Sequence, residues 1–545
     1  VARWSMADTG LFLQDTWKVN KDLTLNLGVR LDKLSVPEKP IYNAAAAAPM
    51  VAGNAATNTR QSGGFGLDNS ITVDGQDLVQ PRLGFTLNLD SADKRRQQLR
   101  GGIGLFQGAA ANVWLSNPFS NTGVAIRTVG CGGNFSACSS AGGIFSADPA
   151  NQPLNFTGST PAANVDFLQP GLTQPSVWKA NLAFETELPW YGLTASAEWL
   201  HTKNKVGIYY KHLNLGAVTR TGTDGRELYY NANGYNTNCW TASGSTNAGG
   251  TGCGGSVTSK SLNNSSYGNV TMAAASSLGG GDALTLGLSQ QPTRELSWNL
   301  AVTRTTATEV SPLTSSVANS NFNARSIFNP NEEVAANSAY LIKNRINASV
   351  TWSKALFGDR KTTVGLFYEG RSGHTYSWTF NNDLNGDGVS GNDLMYIPSG
   401  PGSGEVVFAG GAAEEARFWD IVYRSPELTR SMGKVTKRNG SASPWVNNFD
   451  LRLSQEVPGL RTGHKGVLTF DILNVGNLLN SKWGRIDEVL FQSAGGAARS
   501  FVNYKGLDAN GKYIYSVMPA AESLETRQVK GESQWAVQVT LKYEF

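Results

Sequence analysis

The chain lacks any apolar run long enough to cross a bilayer as a helix, which takes about 18 or more residues, and this argues against a helical membrane protein. Charge is scarce as well. Charged residues make up 16% of the 545, where an ordinary soluble domain carries roughly 25%. The net charge of +4 is too small for a chain of this size to argue for a nucleic-acid partner. Cysteine and histidine number four each. Neither local cysteine pair, Cys131 with Cys138 or Cys239 with Cys253, has Cys-x-x-Cys spacing, and the histidines are dispersed, so a zinc site is disfavoured. There is no G-x-S-x-G elbow, no phosphate-binding P-loop and no H-E-x-x-H. No catalytic residue and no required cofactor are expected. Val1 to Gly10 has neither the basic start nor the apolar core of a signal peptide, and the chain does not begin with Met.

What is present is alternation. From Trp535 to Phe545 every odd position is large and apolar and every even position is small, polar or charged, and aromatic residues stand at both ends. Side chains in a strand alternate faces, so this stretch has one greasy and one wet face. Its length suits a tilted membrane strand of roughly 9–11 residues, with aromatic anchors at both interfaces. The ending, with Tyr543 and Phe545, resembles the assembly signal of bacterial outer-membrane proteins, which implies the barrel-assembly machinery as a partner.

The same pattern recurs along the chain. Leu23, Leu25, Leu27, Val29 and Leu31 alternate with polar or small residues, as do Leu284, Leu286 and Leu288, then Leu296, Trp298, Leu300 and Val302. Ile346, Ala348, Val350 and Trp352 follow, and later Phe449, Leu451 and Leu453, and Leu468, Phe470 and Ile472. No helical periodicity intervenes. The series predicts an all-β, transmembrane antiparallel barrel embedded in outer-membrane lipid.

Connection lengths sharpen the expectation. Short turns near Asn20–Asp22, Ser91–Gln97, Pro189–Gly192, Pro292–Glu295, Phe357–Lys361 and Pro458–Lys465 alternate with long Gly/Ser/Asn-rich segments. The long ones lie near Leu34–Gln80, Gly108–Pro175, Val206–Gly281, Ala307–Lys343, Gly370–Val446 and Leu478–Gln534. Outer-membrane barrels have short periplasmic turns and long extracellular loops. Six turn-linked pairs and a final strand give about thirteen strands. The first of these begins on the extracellular side and the last ends in the periplasm. Because closed bacterial barrels have even strand counts with both ends inside, residues 1–545 are expected to be the C-terminal part of a larger barrel, whose plug and first strands lie outside this sequence.

The segment Leu11-Phe12-Leu13-Gln14-Asp15-Thr16-Trp17-Lys18-Val19, with Leu23-Thr24-Leu25-Asn26-Leu27-Gly28-Val29-Arg30-Leu31-Asp32 after a short turn, resembles the barrel of TonB-dependent receptors. The segment from Asp383 through Gly391-Asn392-Asp393-Leu394-Met395-Tyr396-Ile397-Pro398 is similar to the Oar-like branch of that family, and Lys542-Tyr543-Glu544-Phe545 fits too. The resemblance implies a 22-stranded outer-membrane barrel, a plug and an inner-membrane energy-coupling protein of the TonB type that acts through it. It implies transport of an unidentified substrate across the outer membrane. It also leaves open a protein-export channel or scaffold with a secreted partner, and a surface-exposed, adhesion-type interaction protein.

Two groups of residues carry candidate sites. Asp383, Asn385 and Asp387 with Gly388 reproduce the first half of a calcium loop, with the Val389 carbonyl at position seven. Position twelve is Leu394, so Asp393 would close a shortened loop; an ordinary Asn/Gly turn is the equal alternative. The four cysteines in Gly/Ser/Asn-rich segments read as disulfides of an oxidising compartment, with three connectivities open. Of the remaining residues, His201 and His212 are expected at a rim, and Glu185 and Glu187 at the lumen or its rim. Glu414, Glu415, Arg417, Phe418 and Trp419 read as a short loop helix, and Trp240 is the one loop tryptophan that invites a carbohydrate-binding reading.

Overall fold

Thirteen antiparallel strands, each hydrogen-bonded to the next in sequence order, make one continuous sheet in the computed structural model of the protein. The structure describes residues 3–54, 59–89, 95–108, 110, 112–125, 148, 150, 162–489 and 497–545. The strands are β1 (Ala7–Lys18), β2 (Leu23–Ser35), β3 (Asp77–Asn88), β4 (Gln97–Gln107), β5 (Ser176–Glu187), β6 (Leu193–His212) and β7 (Gly280–Gln290). They continue as β8 (Leu296–Glu309), β9 (Asn344–Phe357), β10 (Arg360–Arg371), β11 (Val446–Pro458), β12 (Lys465–Leu473) and β13 (Ala536–Glu544). The expected number and order of strands are met. Among the described residues the sheet is open: β1 pairs only with β2, and β13 only with β12.

Register explains why the alternation matters. Leu286 lies opposite Val302 on one side and Ala197 on the other. Leu366 lies opposite Val350 and Leu451, and Phe470 opposite Leu453 and Val539. Because the side-chain period is two, each match keeps the whole apolar set on one face. That face is turned outward: Leu286 is 53% exposed and Val539 58%. The opposite face carries hydroxyl and amide pairs across neighbouring strands. Thr285 and Thr303 meet at 2.9 Å, Ser353 and Thr363 at 3.0 Å, and Asn299 donates to Ser349 at 2.6 Å. Apolar outside and polar inside is the inverse of a soluble fold and the pattern of a membrane barrel.

All connections at one end are short (residues 19–22, 89–96, 188–192, 291–295, 358–359 and 459–464), and all at the other are long. The long ones are not bare loops. Among the described residues, most buried apolar side chains belong to them rather than to the barrel strands. β6 runs on past its neighbours into this layer, where Gly207–His212 pair with Thr271–Ser276 of the strand Tyr267–Ser276, which in turn pairs in parallel with Ala163–Leu168. The result is a barrel wall with a packed cap over its long-loop end.

Candidate functional site

The cap is assembled around aromatic residues that Gly- and Asn-rich sequence surrounds. Tyr230, Trp240, Trp378, Phe380, Phe418, Phe501, Tyr504 and Tyr515 are buried in one cluster drawn from three long connections, residues 213–279, 372–445 and 474–535. Tyr230 stacks on Tyr504 with ring centroids 6.1 Å apart, and Trp240 meets both edge-on at 5.6 and 5.4 Å. Its indole N–H donates to the Gly234 carbonyl at 3.0 Å. Trp240 is therefore a core residue, 5% exposed, and not the open stacking platform that a sugar needs. Its neighbour in sequence, Cys239, is joined to Cys253 across a Cα–Cα distance of 5.6 Å, so one of the two expected local disulfides is formed. Cys131 and Cys138 lie outside the described residues.

One wall of this core is the helix Gly411–Arg424, where the charged run was expected to form a helix. Phe418 and Val422, four residues apart on one face, are fully buried. Glu414 sits below them and accepts the Gly410 N–H at 2.6 Å and the Val517 N–H at 2.7 Å. It thereby tethers the first helical turn to the strand Tyr513–Val517.

Beside this core lies a polar node built on the sequence Asp383 to Asp393. Gly386 and Gly388 take positive φ, 80° and 89°, which an L side chain adopts poorly, and a Cβ on Gly386 would meet the Tyr229 and Tyr230 backbone at about 3 Å. The turn closes on itself. Asp383 accepts the N–H groups of Gly386 (2.6 Å) and Gly388 (2.8 Å), Asn385 Oδ1 that of Asp387 (2.7 Å), and Asp387 Oδ1 that of Val389 (2.8 Å). Asp393 Oδ2 accepts from Leu384 at 2.7 Å. Its Oδ1 receives Arg226 Nη1 at 3.1 Å, and the Arg226 Nε also faces Asp224 at 3.4 Å. Arg226 is fully buried and donates in addition to the Leu394 carbonyl. Burial, together with repulsion from Asp387 and Asp393, lifts the Asp383 carboxyl well above the usual carboxylate range. Burial and Asp393 push Asp387 up to about 7. Burial raises Asp393 too, against the pull of Arg226.

The five residues of the expected calcium loop are thus gathered into one buried turn. Among the described residues, no group of three or more His, Cys, Asp or Glu side chains is arranged to hold a metal by itself. Arg226 and Lys260, both distant in sequence, complete the node; no local spacing announces either. His212 is not at a rim: it is buried at the far end of β6, its Nε2 3.0 Å from the Lys260 ammonium and its ring against Phe322. His201 lies within the strand, 2.9 Å from Asp282. Tyr543 meets the short turn 459–464, taking the Leu460 N–H at 3.0 Å and lying 2.9 Å from His464 Nδ1, while Phe545 is 96% exposed.

Against known families, residues 1–484 match the profile described as an outer membrane beta barrel domain. The chain belongs to this outer-membrane β-barrel family. No curated protein matches it. Solved structures that resemble the barrel include the FrpB iron transporter from Neisseria meningitidis, at 10% identity and a TM-score of 0.40, covering 99% of this chain and 46% of that one. The outer membrane transporter YddB from Escherichia coli gives 8%, 0.39, 99% and 54%. A mutant ferric enterobactin receptor from Pseudomonas aeruginosa gives 12%, 0.38, 99% and 45%. The chain spans about half the length of these structures.

Membership makes the outward apolar face a lipid face and gives it a measurable consequence. Leu286→Arg places a charge near the middle of β7, on that face, and is expected to cost about 2–4 kcal/mol. Thr285→Arg, one residue away on the polar face, is expected to cost far less. Urea unfolding of the refolded barrel in lipid vesicles, followed by tryptophan fluorescence, separates the two; equal costs would reverse the assignment of faces.

Proposed function

We propose that the protein is the barrel portion of an outer-membrane receptor of the TonB-dependent type, taking up a solute that its cap captures. The observation that carries this reading is the division of labour along the barrel axis: a rigid, aromatic-cored cap over one end, a polar inner wall, and bare short turns at the other end. Selective uptake calls for those parts, with capture at the cap and passage along the wall. Two cavities suit capture. One of 610 Å³ lies between Phe328, Val334, Leu394 and Arg438, and one of 740 Å³ is lined by Arg485, Lys530 and Trp535 among others. On this reading the cap is extracellular and the short turns periplasmic. The unpaired edges of β1 and β13 are sealed by further strands of a 22-stranded barrel, since an open edge leaves backbone groups unsatisfied in lipid. A plug in the lumen transmits the pull of the inner-membrane coupling protein.

The test compares cells with and without the gene, each with and without a protonophore, for depletion of a defined mixture of iron chelates, oligosaccharides and oligopeptides. Loss of uptake of one class in the deletion, matched by the protonophore, is expected. Unchanged uptake with an altered set of secreted proteins would overturn the proposal in favour of an export scaffold. Unchanged uptake with lost attachment to a surface or cell would favour an adhesion-type role.

A further inference from the structure

The buried turn from Asp383 to Asp393 has more negative charge than the protein around it balances. Four carboxylates, those of Asp224, Asp383, Asp387 and Asp393, are held in or against the node, and the cations are Arg226 and Lys260. Arg226 is spent on Asp224 and Asp393. The Lys260 ammonium bonds neutral partners, His212 Nε2 at 3.0 Å and Asn269 Oδ1 at 3.4 Å. Counted as ionised, the four carboxylates exceed the two cations by two, and among the described residues neither Asp383 nor Asp387 has an ion-pair partner. An unpaired buried charge is costly, and a bound cation is one of the few ways to keep it.

A second observation is independent of the carboxylates. Asn392 is fully buried, and its Nδ2 donates to Asp387 Oδ2 at 3.2 Å, so its head group lies in the node. Its Oδ1 has no hydrogen-bond partner, and neither has Nδ2 of the equally buried Asn385. Buried polar atoms without partners are rare and call for an explanation. An acceptor oxygen on the amide that bonds Asp387, with no donor to use it, is suited to a cation.

We propose that this turn binds one calcium ion through Asp383, Asn385, Asp387 and Asn392, and that the ion pins three connections of the cap to one another. Hard oxygen donors, part neutral and part anionic and set on an irregular turn, suit calcium better than magnesium, which demands near-octahedral geometry. Asp393 is a positioning residue: unlike Asp383 and Asp387 it is neutralised by an ion pair, with Arg226, and it accepts the Leu384 and Asn385 N–H groups. The pinning follows from what the turn holds. The carbonyls of Asn385 and Gly386 accept the N–H groups of Tyr229 (2.6 Å) and Lys260 (2.5 Å), both in the connection 213–279. The carbonyl of Asn392 accepts that of Ile327 (2.8 Å), in the connection 310–343. The proposal does not rest on the transport reading.

The test uses the whole protein in detergent, stripped with EGTA. Calorimetric titration with CaCl₂ is expected to give one ion per chain. Tb³⁺ is expected to show emission excited through tyrosine, since Tyr230 donates to the Asp383 carbonyl at 2.7 Å. Calcium should displace it and an equal concentration of magnesium should not. Asn392→Leu and Asp387→Asn are each expected to weaken calcium at least ~10-fold, as losing one oxygen ligand or one charge does. In the wild type, EGTA is expected to open residues 372–445 to protease. No calcium uptake by the wild type, equal displacement by magnesium, or unaltered affinity in both variants would overturn the proposal. The wild-type titration and proteolysis need no variant, so misfolding of either substitution leaves the test intact.

Discussion

Arg226→Ala is expected to destabilise the cap by about 3–5 kcal/mol, the usual result of removing one partner from a buried ion pair. The guanidinium is fully buried, with Asp224 at 3.4 Å, Asp393 at 3.1 Å and the Phe328 ring 5.1 Å below it. Removing it strands two carboxylates in a node already surplus in negative charge. The loss should therefore exceed that of any exposed pair, such as Arg424 with Asp420, which is worth at most ~1 kcal/mol. Combining Arg226→Met with Asp224→Asn and Asp393→Asn should recover much of the loss, because neutral replacements leave no stranded charge. Thermal melting followed by tryptophan fluorescence reports the cap, and heat-modifiable gel mobility reports the barrel. A single change that shifts both equally would mean that the node supports the barrel directly.

Phe418→Ala is the second large effect, expected at about 3–5 kcal/mol. The ring is fully buried, with Phe408 and Trp419 at 5.3 Å and Phe501 at 5.4 Å. The cavity left would face both the helix Gly411–Arg424 and the strand Tyr513–Val517, which share this contact. Arg424→Ala, on the same helix but exposed, should change stability by no more than ~0.5 kcal/mol. Comparing the two by melting temperature tests whether the helix is part of the core. Equal, small effects would make it a solvated appendage.

The barrel was legible in the sequence because its physics is local. A period of two in hydrophobicity fixes the face of each residue, and turn length fixes which end a connection serves. Leu286 and Phe470 could be assigned outward without knowing their partners. The cap was not legible, since its aromatics alternate only in short, isolated runs. Trp240, Trp378 and Phe501 arise in segments rich in Gly, Ser and Asn, and contacts more than a hundred residues apart, such as Trp240 with Tyr504 and Trp378 with Phe501, build the core from them. Runs such as Thr375 to Phe380 and Tyr513 to Val517 carry the one usable signal: large residues crowded into otherwise low-complexity loops. The acidic turn was visible as a motif, but Arg226, which decides its charge balance, was not. The reason is the same, for 167 residues separate it from Asp393.

The long strand β6 sets a mechanical limit on the cap. Its outer part, Gly207–His212, is hydrogen-bonded in register to Thr271–Ser276, so barrel wall and cap share one continuous strand. A lid needs a hinge, and a continuous strand is a strut. On the proposed uptake reading, entry to the lumen would open by displacement of connections away from β6, with the clamped side serving as the fixed jaw.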